Sequence, residues 1–229
     1  MSDIATRTRL ILGDAAIEKL KASHVALFGL GGVGGYCLEA LVRAGVGALD
    51  LYDGDVFDTS NLNRHLLSTT NVLGREKTEV AKERALSIRP DEKIRTFQMF
   101  YLPEKADEID FSECDYVIDA IDTVTAKLSL IEQAKKANVP VISCMGAGNK
   151  TDPTAFHVSD ISQTSVCPLA KVMRKELKAR GIKDVKVVFS TEPAQRPEGA
   201  TEKIGSLVTT VAAAGILLAN EVIMDLIRG

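Results

Sequence analysis

The segment FGLGGVGG at residues 28–35 constrains the fold more than any other part of the chain. An apolar run at 25–28 leads into it, and a helical pattern at 33–42 follows it. A glycine-rich turn between a strand and a helix is typical of a phosphate-binding loop, because the free N–H groups at a helix N-terminus favour an anion. The sequence therefore predicts a nucleotide site at the end of the first strand.

The glycines of this turn match the fingerprint GxGxxG at Gly29, Gly31 and Gly34, with Gly32 between them. The first glycine makes the tight turn, the second lets the backbone approach phosphate oxygens, and the third lets the helix pack closely on the strand. Asp53 lies 19 residues after Gly34, where a carboxylate can accept hydrogen bonds from ribose hydroxyls. Nucleotide binding is the favoured interpretation, and a glycine-rich packing turn is the alternative.

Strand and helix patterns alternate along most of the chain. Further strands are predicted at 49–52, 94–100, 116–118, 139–144 and 185–189, and further helices at 76–88, 126–137, 169–180 and 206–220. This alternation predicts one α/β domain over 1–229, with a Rossmann-like, doubly wound, mainly parallel sheet and helices on both faces. We expect a nucleotide-binding core at about 7–150 and an extension at about 151–229 that carries a mobile loop at 190–205.

Composition excludes several classes of protein. The four cysteines at 37, 114, 144 and 167 form no CxxC pair, which argues against structural zinc and suits a reducing cytoplasm. A net charge of −3 gives no overall attraction to nucleic acid or membrane. The uncharged stretch 206–220 is shorter than the ~20 residues that span a bilayer, so we predict a buried helix and no membrane partner.

Residues after the predicted strands distinguish a triphosphate site from a hydride-transfer site. Asn61 and Arg64 follow the second strand, Lys77 opens the next helix, and Asp122 follows the strand at 116–118. Arginine offers a forked pair of donors and lysine a point charge, which suit phosphates. A carboxylate that shares a cation with phosphates is a typical Mg²⁺ ligand. Taken singly, Arg64 and Lys77 read equally well as solvated charges and Asp122 as a helix cap.

The stretches GLGGVGG, DGDVFDTSNLNRH, GREK and DAIDTVTAK resemble the adenylation domain of the ThiF, MoeB, HesA and ubiquitin-activating superfamily. The resemblance implies that ATP and Mg²⁺ are bound and that Arg64, Lys77, Asp122 and Arg9 are catalytic, with Asp122 as the metal ligand. It further implies a homodimer in which Arg9 reaches the γ-phosphate of the neighbouring subunit. The ATP-binding residues implied by these motifs are Gly29, Gly31, Gly32, Gly34, Asp53, Asp55, Asn61, Arg64, Lys77 and Asp122.

The second half of the chain resembles one branch of that superfamily, the tRNA threonylcarbamoyladenosine dehydratases, through CPLAK at 167–171 and the helix that follows. That branch uses ATP to cyclise threonylcarbamoyladenosine in tRNA. The absence of CxxC pairs and of any cysteine in 190–205 separates the chain from sulfur-carrier activators. Whether a sulfur-relay partner protein assists stays open.

A local charge cluster supports a nucleic-acid substrate independently of the resemblance. Residues 171–186 hold seven basic and two acidic residues, a local charge of +5, which leaves −8 for the rest. Helical spacing predicts a cationic face and an opposite apolar face. The cationic face comprises Lys171, Arg174, Lys175 and Lys178, and the apolar face comprises Leu169, Val172, Met173 and Leu177. Such a face suits phosphates rather than bases, although an ordinary solvated helix face has the same pattern.

Three other functions remain compatible with the sequence. An activator of a small ubiquitin-like protein would adenylate that protein's C-terminal glycine and would be indifferent to tRNA. A nicotinamide dehydrogenase would share the GxGxxG turn without a use for Lys77 or Asp122. A regulatory nucleotide sensor would bind ATP without releasing pyrophosphate.

Overall fold

The computed structural model describes residues 4–195 and 204–229, and its centre is a seven-stranded sheet in the order β3-β2-β1-β4-β5-β7-β6. The strands are β1 (His24–Phe28), β2 (Ala48–Tyr52), β3 (Lys93–Phe97), β4 (Tyr116–Asp119), β5 (Val141–Cys144), β6 (Phe156–Asp160) and β7 (Lys186–Ser190). The helices are α1 (Thr6–Leu12), α2 (Asp14–Ala22), α3 (Gly34–Ala44), α4 (Lys77–Ile88), α5 (Val124–Lys136), α6 (Pro168–Ala179) and α7 (Val208–Arg228).

All strand pairs are parallel except the edge pair β6–β7. Alternate side chains of each strand enter two separate apolar cores, one on each face of the sheet. Helices α3, α4 and α7 close one core, and α5 and α6 close the other. The predicted doubly wound, mainly parallel α/β fold with helices on both faces is confirmed.

The predicted elements are found with shifted ends, and three elements were not predicted. Strand β3 ends at Phe97 rather than at residue 100, and the last helix continues to Arg228. Helices α1 and α2 and the edge strand β6 were not predicted from the sequence. Of the loop predicted at 190–205, residues 196–203 lie outside the described part of the chain, so its mobility stays a prediction.

Helix α7 has the length and apolar composition of a membrane span, but it packs as a core helix. Its buried residues include Val211, Ala214, Leu218 and Val222, all in the core shared with α3. The two helices touch at Gly215, where a Cβ atom would lie 2.3 Å from the carbonyl oxygen of Val33. This close approach agrees with the predicted buried helix.

Candidate functional site

A cavity of about 740 Å³ lies at the carboxyl ends of the strands, where β1 and β4 are neighbours and the chain order of the sheet reverses. Ligands in doubly wound sheets bind at this switch point. The cavity brings together most of the predicted site residues. Its lining includes Gly29, Gly31, Gly32, Asp53, Asp55, Asn61, Arg64, Lys77 and Asp122.

Two glycines of the turn are required by close backbone packing. Gly29 has φ +91°, and a Cβ atom there would lie 2.7 Å from the carbonyl oxygen of Ala120 on the neighbouring β4 loop. A Cβ atom on Gly34 would lie 1.8 Å from the carbonyl oxygen of Gly29, so α3 can begin directly above the turn only without a side chain. Gly34 therefore allows the close packing of α3 on the turn, and it does not line the cavity.

Asp53 braces the glycine turn at the end of β2. Its carboxylate accepts hydrogen bonds from the backbone N–H groups of Leu30, at 2.6 Å, and Asp55, at 2.8 Å. Burial raises the pKa of this carboxyl group, and the ammonium group of Lys77 opposes that rise. Each carboxylate oxygen can accept a second hydrogen bond, so these contacts are compatible with ribose hydroxyls as further donors.

Lys77 opens α4, and its side chain is only 5% exposed at the wall of the cavity. The ammonium nitrogen lies 2.7 Å from Oδ2 of Asp55 and 3.8 Å from Oδ1 of Asp53. A lysine is almost never buried unless it is paired, and these two carboxylates are its partners. Asp55 thus acts in this structure as the partner that holds Lys77 at the cavity wall.

Asn61 and Arg64 belong to a short turn that begins at Asp58. The Asn61 side chain accepts a hydrogen bond from the backbone N–H of Asp58 at 3.1 Å, and the Asp58 carboxylate caps the turn in return. The guanidinium group of Arg64 donates to the carbonyl oxygen of Ser60 at 2.7 Å and to the side-chain oxygen of Asn63 at 3.0 Å. Hydrogen bonds between its own residues therefore stabilise the turn, and Arg64 lines the cavity.

The loop that carries Asp122 rests on a buried ion pair that the sequence did not predict. The Lys127 ammonium group lies 3.0 Å from Oδ2 of Asp119 and donates to the carbonyl oxygen of Ile121 at 2.8 Å. Asp119 also accepts hydrogen bonds from Ser143 and from the backbone N–H of Ile121. Asp122 itself is exposed, with its carboxylate 3.3 Å from the hydroxyl of Thr123.

Arg9 lies on α1 and does not line the cavity of its own chain. Its guanidinium group forms an ion pair with Asp14 at 2.6 Å. Arg9 lies in the middle of this seven-residue helix. Its action on the site of a neighbouring subunit stays a prediction.

The predicted faces of α6 need two corrections. Val172 was placed on the apolar face, but it is 44% exposed, because the buried stripe is formed by Ala170, Met173 and Leu177. Arg174 was placed on the cationic face, but its guanidinium group donates to the carbonyl oxygen of Thr164 at 2.7 Å and to the Thr164 hydroxyl.

The exposed cationic face of α6 is therefore smaller than predicted. It consists of Lys171, Lys175 and Lys178, which we call the α6 lysine face. Leu169, in the first turn of the same helix, lines the cavity.

The four cysteines are buried. Burial raises the pKa of the Cys144 thiol, which lines the cavity, to about 12, and it raises the pKa of Cys114 to the same value. Burial also raises the pKa of Cys37. Since the thiolate is the reactive form of cysteine, these groups are inert at neutral pH. Cys167 is 2% exposed.

Away from the cavity, a group of side chains that could hold a metal consists of His24, Asp50 and Cys114, whose ligand atoms lie within 4.8 Å of one another. Arg95 already binds Asp50 through two hydrogen bonds, at 2.6 and 2.7 Å. His24 Nε2 lies 3.1 Å from the same carboxylate. The carboxylate is thus satisfied, and we assign this cluster a structural role.

Comparison with known proteins relates the chain to one family and to one activity within it. The ThiF family matches residues 5–228. The tRNA threonylcarbamoyladenosine dehydratase of Bacillus subtilis is 38% identical, over 97% of this chain and 94% of that protein. The crystal structure of the Escherichia coli enzyme in complex with AMP has a TM-score of 0.91 at 31% identity, over 99% of this chain and 96% of that one. The complex of the same enzyme with ATP has a TM-score of 0.88.

Proposed function

The chain belongs to the ThiF family, and on this premise we propose that it is an ATP-dependent tRNA-modifying enzyme. It adenylates the threonyl carboxylate of threonylcarbamoyladenosine in tRNA and promotes dehydration to the cyclic form, with release of AMP and pyrophosphate. The observation that carries this proposal is the cavity at the switch point, where the glycine turn and Lys77 meet Asp53 and Asp122. The Escherichia coli dehydratase, which has the same fold, has been crystallised in complex with AMP and with ATP.

Different residues of the cavity suit the ribose and the phosphates of ATP. Asp53 stands beside the glycine turn and suits the ribose hydroxyls, as the family resemblance implies. The turn offers backbone N–H groups and a helix N-terminus to the phosphates. Lys77 and Arg64 add positive charge to the same wall of the cavity, and their pull on the phosphate oxygens stabilises the charge of the leaving pyrophosphate.

Mg²⁺ fits the donor chemistry at Asp122. This carboxylate is exposed at the edge of the cavity, at the end of a loop held rigidly by Lys127 and Asp119. Oxygen ligands that share the ion with phosphates are the preferred environment of Mg²⁺. When bound, the ion would neutralise phosphate charge; Asp122 would hold it.

The chemistry proceeds without an enzyme nucleophile. A carboxylate oxygen of the substrate attacks the α-phosphorus of ATP, the bond to the bridging oxygen breaks, and pyrophosphate leaves. The product is a mixed anhydride with AMP. A nucleophile within the modified base then attacks the activated carbonyl carbon and displaces AMP, which closes the ring. The chain contributes position and charge, and burial raises the pKa of the Cys144 and Cys114 thiols.

The α6 lysine face supplies the proposed contact with tRNA. Lys171, Lys175 and Lys178 are exposed on a helix whose first turn reaches the cavity at Leu169. Lysines in such a row bind the phosphate backbone and position the tRNA without reading its bases. The modified nucleoside then enters the cavity past the start of α6.

We further propose that the chain is a cytoplasmic homodimer. Leu10 and Ile11 on α1 are 78% and 84% exposed, and Ile216 on α7 is 47% exposed. Exposed apolar side chains of this size suit a protein interface. Arg9 lies on the same helix as the first two and would reach the partner's site from there.

The test is a reaction of the purified chain with ATP, Mg²⁺ and tRNA that does or does not carry threonylcarbamoyladenosine. We expect pyrophosphate release only with the modified tRNA, and the nucleoside to lose the mass of one water. Activity of the chain alone shows that no sulfur-relay partner is required. Pyrophosphate release that depends on a ubiquitin-like protein would support the activator instead, and ATP binding without release would support a sensor.

A further inference from the structure

His65 is a cavity residue that the predicted site does not use. It ends the turn that carries Asn61 and Arg64, where its backbone N–H donates to the carbonyl oxygen of Asn61 at 2.9 Å. The side chain is 8% exposed and lines the cavity, with its ring against Phe57 in an edge contact. A Cβ atom on Gly31 would lie 3.7 Å from Cε1 and 3.8 Å from Nε2. The Nε2 edge of the imidazole therefore faces the glycine turn.

The surroundings of the His65 ring favour its neutral form. Burial lowers the pKa of His65 to about 4, and the charges of Lys77 and Arg64 contribute to this decrease, while Asp55 opposes it. A neutral imidazole has one N–H donor and one acceptor nitrogen. Nδ1 is buried and has no hydrogen-bond partner among the described residues, so a hydrogen there would be an unsatisfied donor. The favoured tautomer carries its hydrogen on Nε2, next to the glycine turn.

We propose that His65 is a phosphate-binding residue, whose Nε2–H donates a hydrogen bond to a phosphate oxygen of ATP held by the glycine turn. This inference rests on the proposed function, since it assigns a ligand contact within the same site. Lys77 and Arg64 already supply positive charge, and a third cation in the same enclosure would be costly. A neutral N–H donor orients the phosphate without adding another buried charge. Its hydrogen bond is of the stronger kind, because the phosphate oxygen is charged.

Two substitutions separate this contact from simple packing. Leucine at position 65 fills a similar volume without a donor, whereas glutamine keeps an N–H group near the place of Nε2. We expect His65→Leu to weaken ATP binding about 10-fold, the size of one hydrogen bond to a charged group, and to leave adenosine binding unchanged. His65→Gln should retain ATP affinity within about 3-fold of the native chain on the same basis. His157→Gln is the matched control, since His157 is exposed on β6.

Calorimetric titration with ATP and with adenosine measures these affinities. Equal losses for both ligands, or native ATP affinity in His65→Leu, would overturn the inference. Failure of the native chain itself to bind ATP would instead overturn the proposed function along with it.

Nitrogen NMR of the full native chain provides a readout that needs no variant. The chain has three histidines, so its imidazole resonances can be assigned one by one. We expect His65 to show the Nε2–H tautomer and to shift on addition of ATP, with His157 unchanged. A His65 resonance that is insensitive to ATP, or that shows the Nδ1–H tautomer, would refute the contact even if His65→Leu fails to fold.

Discussion

The ammonium group of Lys127 lies 3.0 Å from the carboxylate of Asp119, and neither side chain is exposed to solvent. Asp119 is the last residue of β4, and Lys127 is the fourth residue of α5. The pair closes the loop between these elements, and Lys127 also donates to the carbonyl oxygen of Ile121 within that loop. The position of Asp122 at the cavity edge therefore depends on an interaction beneath it.

The first prediction concerns this pair. Replacing Lys127 with methionine leaves the buried Asp119 carboxylate without its counter-charge, so we expect Lys127→Met to lower the free energy of unfolding by about 3–5 kcal/mol. Lys136→Met removes an exposed lysine of the same helix and should cost under about 1 kcal/mol. Chemical denaturation measures both. A Lys127→Met chain as stable as the control would show that the ion pair does not hold the loop.

The second prediction concerns the proposed metal ligand. Asp122 is exposed, and its carboxylate accepts a hydrogen bond from the hydroxyl of its neighbour Thr123, so Asp122→Ala should keep the fold and its unfolding midpoint. Pyrophosphate release should fall at least about 100-fold, because the carboxylate that would hold Mg²⁺ against the phosphates is gone. Near-normal turnover in this variant, with unchanged dependence on Mg²⁺, would refute the metal role of Asp122.

The third prediction separates two glycines of the same turn. In Gly34→Ala the new Cβ would lie 1.8 Å from a backbone oxygen, so we expect a loss of about 3 kcal/mol or more in stability. In Gly31→Ala the nearest side-chain atom is 3.7 Å away, so stability should stay within about 1 kcal/mol while ATP affinity falls. Thermal unfolding and ATP titration distinguish the two. The opposite order of effects would contradict the assigned roles.

The fourth prediction concerns the α6 lysine face. Serine at Lys171, Lys175 and Lys178 together should weaken tRNA binding and reduce the slope of log affinity against log salt by about 2–3, since up to three phosphate contacts are removed. The same change at three exposed lysines elsewhere, Lys21, Lys93 and Lys136, keeps the net charge equal and serves as the control. Equal losses in both triple variants would indicate a general charge effect instead of a binding face.

Most residues of the nucleotide cavity could be predicted from the sequence, because they follow the ends of predicted strands. Gly29 and Asp53 come directly after apolar runs and Asp122 follows another at a short distance, and the carboxyl ends of parallel strands meet at one edge of the sheet. The strict packing at Gly34 is likewise encoded in the fingerprint. These features depend on local order along the chain, which a sequence displays directly.

Features that depend on long-range packing were missed or misplaced. Lys127 looks like any helical lysine until the fold places its ammonium group beside Asp119 at the end of β4, where Ser143 of β5 binds the same carboxylate. Arg174 has the spacing of a surface residue, but the loop before α6 places Thr164 within reach of its guanidinium group. His65 has no metal-ligand spacing to another histidine in the sequence, and only its burial beside Gly31 shows what its ring faces. In each case the partner is fixed by the fold and not by neighbouring residues.

The most direct test of the central claim follows the oxygen atoms of the substrate. Transfer RNA whose threonylcarbamoyladenosine is labelled with ¹⁸O in the carboxyl group is incubated with ATP and the purified chain, and the nucleotide products are analysed by mass spectrometry. If the carboxylate attacks the α-phosphorus, ring closure leaves one labelled oxygen on AMP. Unlabelled AMP, or label found in inorganic phosphate together with ADP, would contradict adenylation of the substrate in this cavity.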